Sequence, residues 1–319
     1  MASDLPALAL ASADWYGSSA PRLAPAISLQ ECIVQAFYQQ SALAARLGQR
    51  IAAEPAQAIH AMRRLLRRSR ALLRLTAAAL SDADRQAWLA QLGEASRQLG
   101  RHRDAEILPD ALLLLPEDAR TAAAPLGQLL IQQRELARQD PSVAPAVQAA
   151  ALAMAEVAAQ LPAALQDLAA DHLAQGVAAA FDRVADCAKQ ACKHPRPQAI
   201  HDLRKRAKDL RYMLEWLGSA SDEPKLRRVA KAVRDLGQVA DLLVLHAWIK
   251  EAARRHPDAD HGALVQALRS RKAELARRSL RDTRDLAPAH PKRRARALVR
   301  AFLKALPLSA EHLQGQAQP

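Results

Sequence analysis

The chain has 319 residues, half of them apolar but only 3% aromatic, with ten glycines and a net charge of +13. An Ala- and Leu-rich composition so poor in aromatics favours helix and offers little for β-sheet. The basic balance suits a polyanionic partner (nucleic acid, anionic lipid or a phosphate polymer) and excludes a cation-binding surface as the general character of the protein.

Residues 1–26 are rich in Ala, Ser and Pro without a sustained period and read as a loose leader. A helix is predicted from Ser28 to about residue 53, with Ser28 as N-cap and Glu31 three residues on, in a capping-box arrangement. Pro55 separates it from a helix at about 56–79. Ser81 and Asp82 open the next, which carries Trp88, Leu89, Leu92 and Leu99 and ends at Gly100. Pro109, Pro116 and Pro125 then punctuate the chain before helices at about 126–138 and 142–160. The stretch 141–166 is the most apolar, but Pro145, Glu156 and Pro162 make it a buried helix rather than a membrane span. A helix at about 167–193 follows, then Pro195 and Pro197, then a helix at about 198–217. Residues 218–222 form a turn, and Pro224 opens a helix reaching Gly237. Helices at about 240–255, 260–285 and 290–305 complete the set, and 307–319 reads as a disordered tail.

Residues 59–76 place His60, Arg63, Arg67, Arg70 and Arg74 at steps of three and four, on one helix face, with Arg64 and Arg68 beside them. Met62, Leu66 and Leu73 mark a neighbouring face able to pack. The design returns 141 residues later: His201, Arg204, Lys205, Lys208 and Arg211 stand for His60, Arg63, Arg64, Arg67 and Arg70. Arg68 becomes Asp209 and Arg74 becomes Glu215, so what both copies keep is one cationic face. A second pair of segments, 97–104 and 234–241, matches at Arg97/Arg234, Leu99/Leu236, Gly100/Gly237 and Asp104/Asp241. The chain therefore reads as a tandem repeat of about 140 residues. The first helical bundle occupies 27–162 and the second 163–306, packed about a pseudo-twofold axis.

The first half has a net charge of only +1 and the second +12, so the first stripe is a local feature. Like charges at i,i+4 cost a helix a few tenths of a kcal/mol per pair, and no acid interrupts residues 63–74. A solvated basic face is normally interleaved with Asp or Glu. This face is built instead for an anion. Arginine forks suit phosphate oxygens, and about ten residues of helix extend roughly 15 Å, which matches a long anion of repeating charge. His60 and His201, near helix starts, suit phosphate contact, since an anion favours the charged imidazole. Neither stripe supplies the further ligands a metal needs.

The pattern His-x-x-Arg-Arg/Lys-x-x-Arg/Lys-x-x-Arg, present twice and each time followed by Leu-Gly-x-x-x-Asp, resembles the CHAD family, the conserved-histidine α-helical domain. Leu210-Arg211-Tyr212 is also similar to that family's second half, and the resemblance spans about 28–305. It implies two four-helix bundles related by a pseudo-twofold around a basic central cavity or pore. It further implies binding of inorganic polyphosphate and association with polyphosphate granules. Carried onto this chain, the site is His60, Arg63, Arg64, Arg67 and Arg70 with His201, Arg204, Lys205, Lys208 and Arg211. Arg74 extends the first row, against Glu215 at the paired position, and Arg97 and Arg234 form a second tier. Gly100 and Gly237 are expected to allow a helix end or close helix approach, and Asp104 and Asp241 to orient a stripe arginine. The catalytic Glu-x-Glu-x-Lys motif of the triphosphate-tunnel (CYTH) domains fused to some members is missing from this sequence.

The reading is a cytoplasmic, non-enzymatic binder with no cofactor, no metal and no membrane partner. The alternative is a non-specific nucleic-acid binder, for which stacking aromatics are few. The basic run Lys292, Arg293, Arg294 and Arg296 would give weak nucleic-acid contact in either case. Phosphohydrolase or phosphotransferase chemistry would need a metal or an acid/base pair that the stripes do not supply. Cys32, Cys187 and Cys192 show neither metal spacing nor a disulfide framework, and no basic n-region marks a secretory signal.

Overall fold

The computed structural model describes residues 28–51, 54–218, 224–255, 262–283, 286 and 288–305. The leader 1–26, the tail 307–319 and most of the turn at 218–222 lie outside the described residues. All regular structure among the described residues is helical, as the composition predicts. In chain order the helices are α1 (Leu29–Arg50), α2 (Pro55–Leu75), α3 (Asp82–Gln98), α4 (Gly100–Leu112), α5 (Glu117–Ala122) and α6 (Ala124–Arg138). They continue with α7 (Val143–Ala164), α8 (Ala170–Lys193), α9 (Pro197–Trp216), α10 (Pro224–Arg255), α11 (Gly262–Thr283) and α12 (Pro291–Ala305).

Local chemistry sets several of these ends. The Ser28 hydroxyl accepts from Glu31 N at 3.1 Å and opens α1; the Ser81 hydroxyl does the same for Asp84 N and opens α3. Pro55 and Pro197 stand at the first turns of α2 and α9, where a missing N–H costs nothing. Gly218, at φ 65°, takes the left-handed conformation that ends α9.

Helices α1, α2, α3 and α7 pack as a closed ring of neighbours, flanked by α4 and α6, which pack on each other. Helices α8, α9, α10 and α11 form a second ring, and α12 lies along α8. The two groups meet mainly where α2 packs on α9, with α2 on α8 and α4 on α10 beside it. Helix α7 is long and apolar enough to cross a membrane by length and composition. It nonetheless packs on α1, α2 and α3, burying Val143, Val147, Ala150, Met154, Val157 and Leu161.

Two features depart from the sequence reading. Residues 100–112 and 117–122, expected only as proline-punctuated chain, form α4, with Pro109 inside it, and the short α5. Proline in a helix interior costs about 3 kcal/mol, but Pro109 sits in the last turn, and burial of Leu108, Ala111 and Leu112 against the neighbours offsets that cost. The expected break at Gly237 is also absent: α10 is one helix of 32 residues passing through it. Buried Val233, Leu236, Val239 and Leu242 hold both sides of the glycine in one core, against an intrinsic penalty of about 1 kcal/mol.

Candidate functional site

Helices α2 and α9 carry the two cationic stripes, and each is anchored by an apolar side. In α2, Ile59, Met62, Leu66 and Leu73 are buried; in α9, Ile200, Leu203, Leu210 and Met213 are. That anchoring leaves His60 exposed and Arg63, Arg64, Arg67, Arg70 and Arg74 half-buried on α2. On α9, His201, Arg204, Lys208 and Arg211 are half-buried and Lys205 is exposed.

The packing of α2 on α9 brings the stripes into electrostatic contact. The His60 imidazole, exposed at its rim but partly desolvated by its neighbours, is held below its ordinary range by that desolvation first, then by Arg64, Arg67, Lys208 and Arg63. Lys208, on the opposite helix, is thus among the charges that act on the first histidine. Burial and the positive charges of Arg74, Arg67 and Arg97 press on the Arg70 guanidinium, partly offset by Asp209. Arg97, on α3, thus adds a weak influence on Arg70, while its guanidinium holds Glu94. The Arg70 Nε is buried without a hydrogen-bond partner, and Arg67 and Lys205 make no ion pair or hydrogen bond among the described residues. Arg234, exposed on α10, likewise makes none. Crowded like charges of this kind repel one another, and an anion placed among them would relieve the repulsion.

The glycines of the Leu-Gly segments lie against stripe arginines in both halves. A methyl group on Gly100 would stand 4.0 Å from Arg63 Nη1, and one on Gly237 would stand 4.0 Å from Arg204 Nε. Arg63 Nη1 also donates to the Ser96 carbonyl at 2.8 Å, fixing the guanidinium at the start of α4.

Acidic residues enter at two points. Glu215, 8% exposed, lies 3.8 Å from Arg68 Nε, itself 5% exposed, and accepts from Arg211 Nε at 2.8 Å. Arg211 is thus partly neutralised within α9. At the other end Asp209 lies 3.5 Å from Arg74 and 3.6 Å from Arg206. Arg74 is consequently tied down, which explains how it coexists with Glu215 at the paired position. Arg183 of α8 adds a further cation here: burial, then Arg206 and Arg74, lower its pKa. Neither Arg206 nor Arg183 was expected at the site. Arg206 points off the stripe face of α9, and α8 carries no motif that singles out Arg183.

A cavity of about 280 Å³ lined by Ala56, Gln57, His60 and Ala61 opens at the start of α2. A larger one, about 750 Å³, lies between α8, α9, α10 and α11, with apolar walls from Ile200, Val239, Leu243 and Leu280 and with Lys272, Arg277 and Arg281 also lining it. Among the described residues no group of three or more His, Cys, Asp or Glu is placed to hold a metal ion.

The CHAD domain family model matches residues 29–249, more than two thirds of the chain and both stripes. The chain belongs to the CHAD family. That family is known in general for polyphosphate-related binding. The fold is similar to the crystal structure of the CHAD domain from the plant Ricinus communis, with a TM-score of 0.59 over 90% of this chain and 96% of that one, at 20% identity. No curated protein matches the sequence. The CHAD match closes inside α10, so α11 and α12 lie beyond it, whereas the structural likeness extends over most of the chain.

Proposed function

We propose that this CHAD protein binds inorganic polyphosphate, without turning it over, along the cations of α2 and α9. The observation that supports this most directly is the crowding of His60, Arg63, Arg64, Arg67, Arg70 and Lys208 about one helix–helix contact, with Arg67 unpaired among the described residues and Arg70 Nε buried without a partner. Phosphate oxygens along a linear polymer accept charge-assisted hydrogen bonds from arginine forks at each step. Such a ligand needs neither base readout nor groove geometry. The function would place the protein in the cytoplasm on polyphosphate granules.

Isothermal titration with long-chain polyphosphate at several salt concentrations tests the reading. Binding should weaken steeply as salt rises, because neutralised phosphates release counterions. Replacing Arg63, Arg67, Arg204 and Lys208 together with Glu should abolish binding while the helical circular dichroism stays native. Phosphate release on incubation with Mg²⁺ and polyphosphate would overturn the non-enzymatic part. Tighter binding of duplex DNA than of polyphosphate at equal charge would replace the ligand.

A further inference from the structure

Helix α12 is built against its own stability. Its first turn carries Lys292, Arg293 and Arg294 and no acid, although the positive end of the helix dipole disfavours cations there. Lys292, Arg296, Arg300 and Lys304 follow at four-residue steps, a spacing at which like charges repel. The helix contains no Asp or Glu to interleave them. Arg296 approaches an acid on a neighbouring helix, Asp171 of α8, at 3.9 Å and with both side chains well exposed. Local choices that conflict with the fold are expected at functional surfaces.

The opposite side of α12 explains why the helix persists. Ala295, Leu298, Val299 and Phe302 are buried against α8. Lys292, Arg293, Arg296, Arg300 and Lys304 are exposed, and at 100° per residue they fall within about 120° of the helix circumference. They make a lane roughly 18 Å long at 1.5 Å per residue. Insertion into a lipid surface is disfavoured, since the apolar face is already used and the residues between the cations are Ala297 and Ala301. No aromatic stands on the lane to stack a base. What it fits is a flexible phosphate backbone.

We infer that α12 is a second landing lane for polyphosphate, outside the α2/α9 site, that selects long chains over short ones. The inference rests on the binding reading above. Helix α12 packs on α8, and α8 on α9, so the two lanes lie roughly 20 Å apart at 8–10 Å per helix contact. A chain long enough to leave the stripe reaches α12 as an intramolecular second contact, and affinity rises with no change at the first site. A short oligomer gains nothing.

The test compares the full-length protein with a variant carrying Lys292→Gln, Arg293→Gln, Arg296→Gln, Arg300→Gln and Lys304→Gln, titrated with long-chain polyphosphate and with tripolyphosphate. Glutamine keeps comparable helix propensity, so circular dichroism should be unchanged and the melting temperature equal or higher. The variant should lose about tenfold in long-chain affinity and less than about twofold for tripolyphosphate, and its log–log salt slope should shrink by about 3.5, at roughly 0.7 per phosphate contact. A two-site variant, Arg300→Gln with Lys304→Gln, should shrink the slope by about 1.4 on the same scale, which keeps the test decisive if the fivefold variant misfolds. Unchanged long-chain affinity and slope would overturn the inference, as would loss of duplex-DNA binding alone. A wild-type protein that binds neither phosphate would overturn the α2/α9 reading as well, and is distinguishable on that ground.

Discussion

Arg74 reaches Asp209 at 3.5 Å across the contact between α2 and α9, and Arg68 reaches Glu215 across the same contact at 3.8 Å. The repeat shift of 141 carries Arg68 onto Asp209 and Arg74 onto Glu215. Each partner in one ion pair is therefore the repeat counterpart of a partner in the other. Where the second copy has acids in place of arginines, it supplies the counter-charges that allow two cationic helices to pack.

Glu215→Gln should destabilise the fold by about 3 kcal/mol, because it leaves the buried Arg68 guanidinium without its carboxylate. Asp209→Asn should cost less, about 2 kcal/mol, since Arg74 and Asp209 are more solvated. Urea denaturation of the two variants checks the order. Equal stability of both with wild type would mean that the α2–α9 contact holds without its acids.

Gly176 predicts a steric limit. A methyl group there would lie 2.2 Å from the Leu75 carbonyl oxygen and 3.0 Å from that of Arg74, both backbone atoms of α2. Gly176→Ala should force α8 away from α2 and cost at least about 2 kcal/mol. Gly237→Ala, with 4.0 Å to Arg204 Nε, should be tolerated and gain up to about 1 kcal/mol of helix propensity. Thermal melts of the two variants should move in opposite directions.

His60 gives a pH dependence with a defined sign. Its folded-state pKa lies below the ordinary imidazole value, through partial desolvation and then Arg64, Arg67, Lys208 and Arg63. Its contribution to stability is thus full above about pH 6.5 and is lost as pH falls through the lowered folded value. A bound phosphate reverses the balance by favouring the imidazolium, so binding takes up a proton and affinity should rise as pH falls below neutrality. Titrations across that range should show the rise in wild type and a flatter profile in His60→Gln.

Two arginines of the same stripe pattern should separate. Arg67 makes no ion pair or hydrogen bond among the described residues, whereas Arg211 already donates to Glu215. Arg67→Ala should lower polyphosphate affinity by about 2 kcal/mol with little change in stability, the scale of one charge-assisted hydrogen bond. Arg211→Ala should lower affinity less and stability more, because Glu215 then loses a partner. Calorimetric titration paired with denaturation of each variant distinguishes the two.

Much of this was legible along the chain. Ser28, by its spacing to Glu31, and the Ser81-Asp82 pair announced helix starts, and the duplicated histidine–arginine pattern carried the family resemblance. Other features were misread because the deciding contacts are distant in sequence. Pro109 looked like a terminator until Leu108, Ala111 and Leu112 were seen to be buried around it. Gly237 looked like a helix end, yet α10 continues through it with Leu236 and Val239 in the core.

The sequence by itself determined the all-helical class, the identity of the stripe helices and which residues share a face, because helical periodicity is local and needs no partner. Only the tertiary structure decided which of those cations are neutralised. Arg68, Arg74 and Arg211 are held by acids on α9, Arg183 arrives from α8, and Arg67 remains unpaired among the described residues. Charge acts through space over a few ångströms, and residues about 140 apart in the chain come within that range only when α2 and α9 pack.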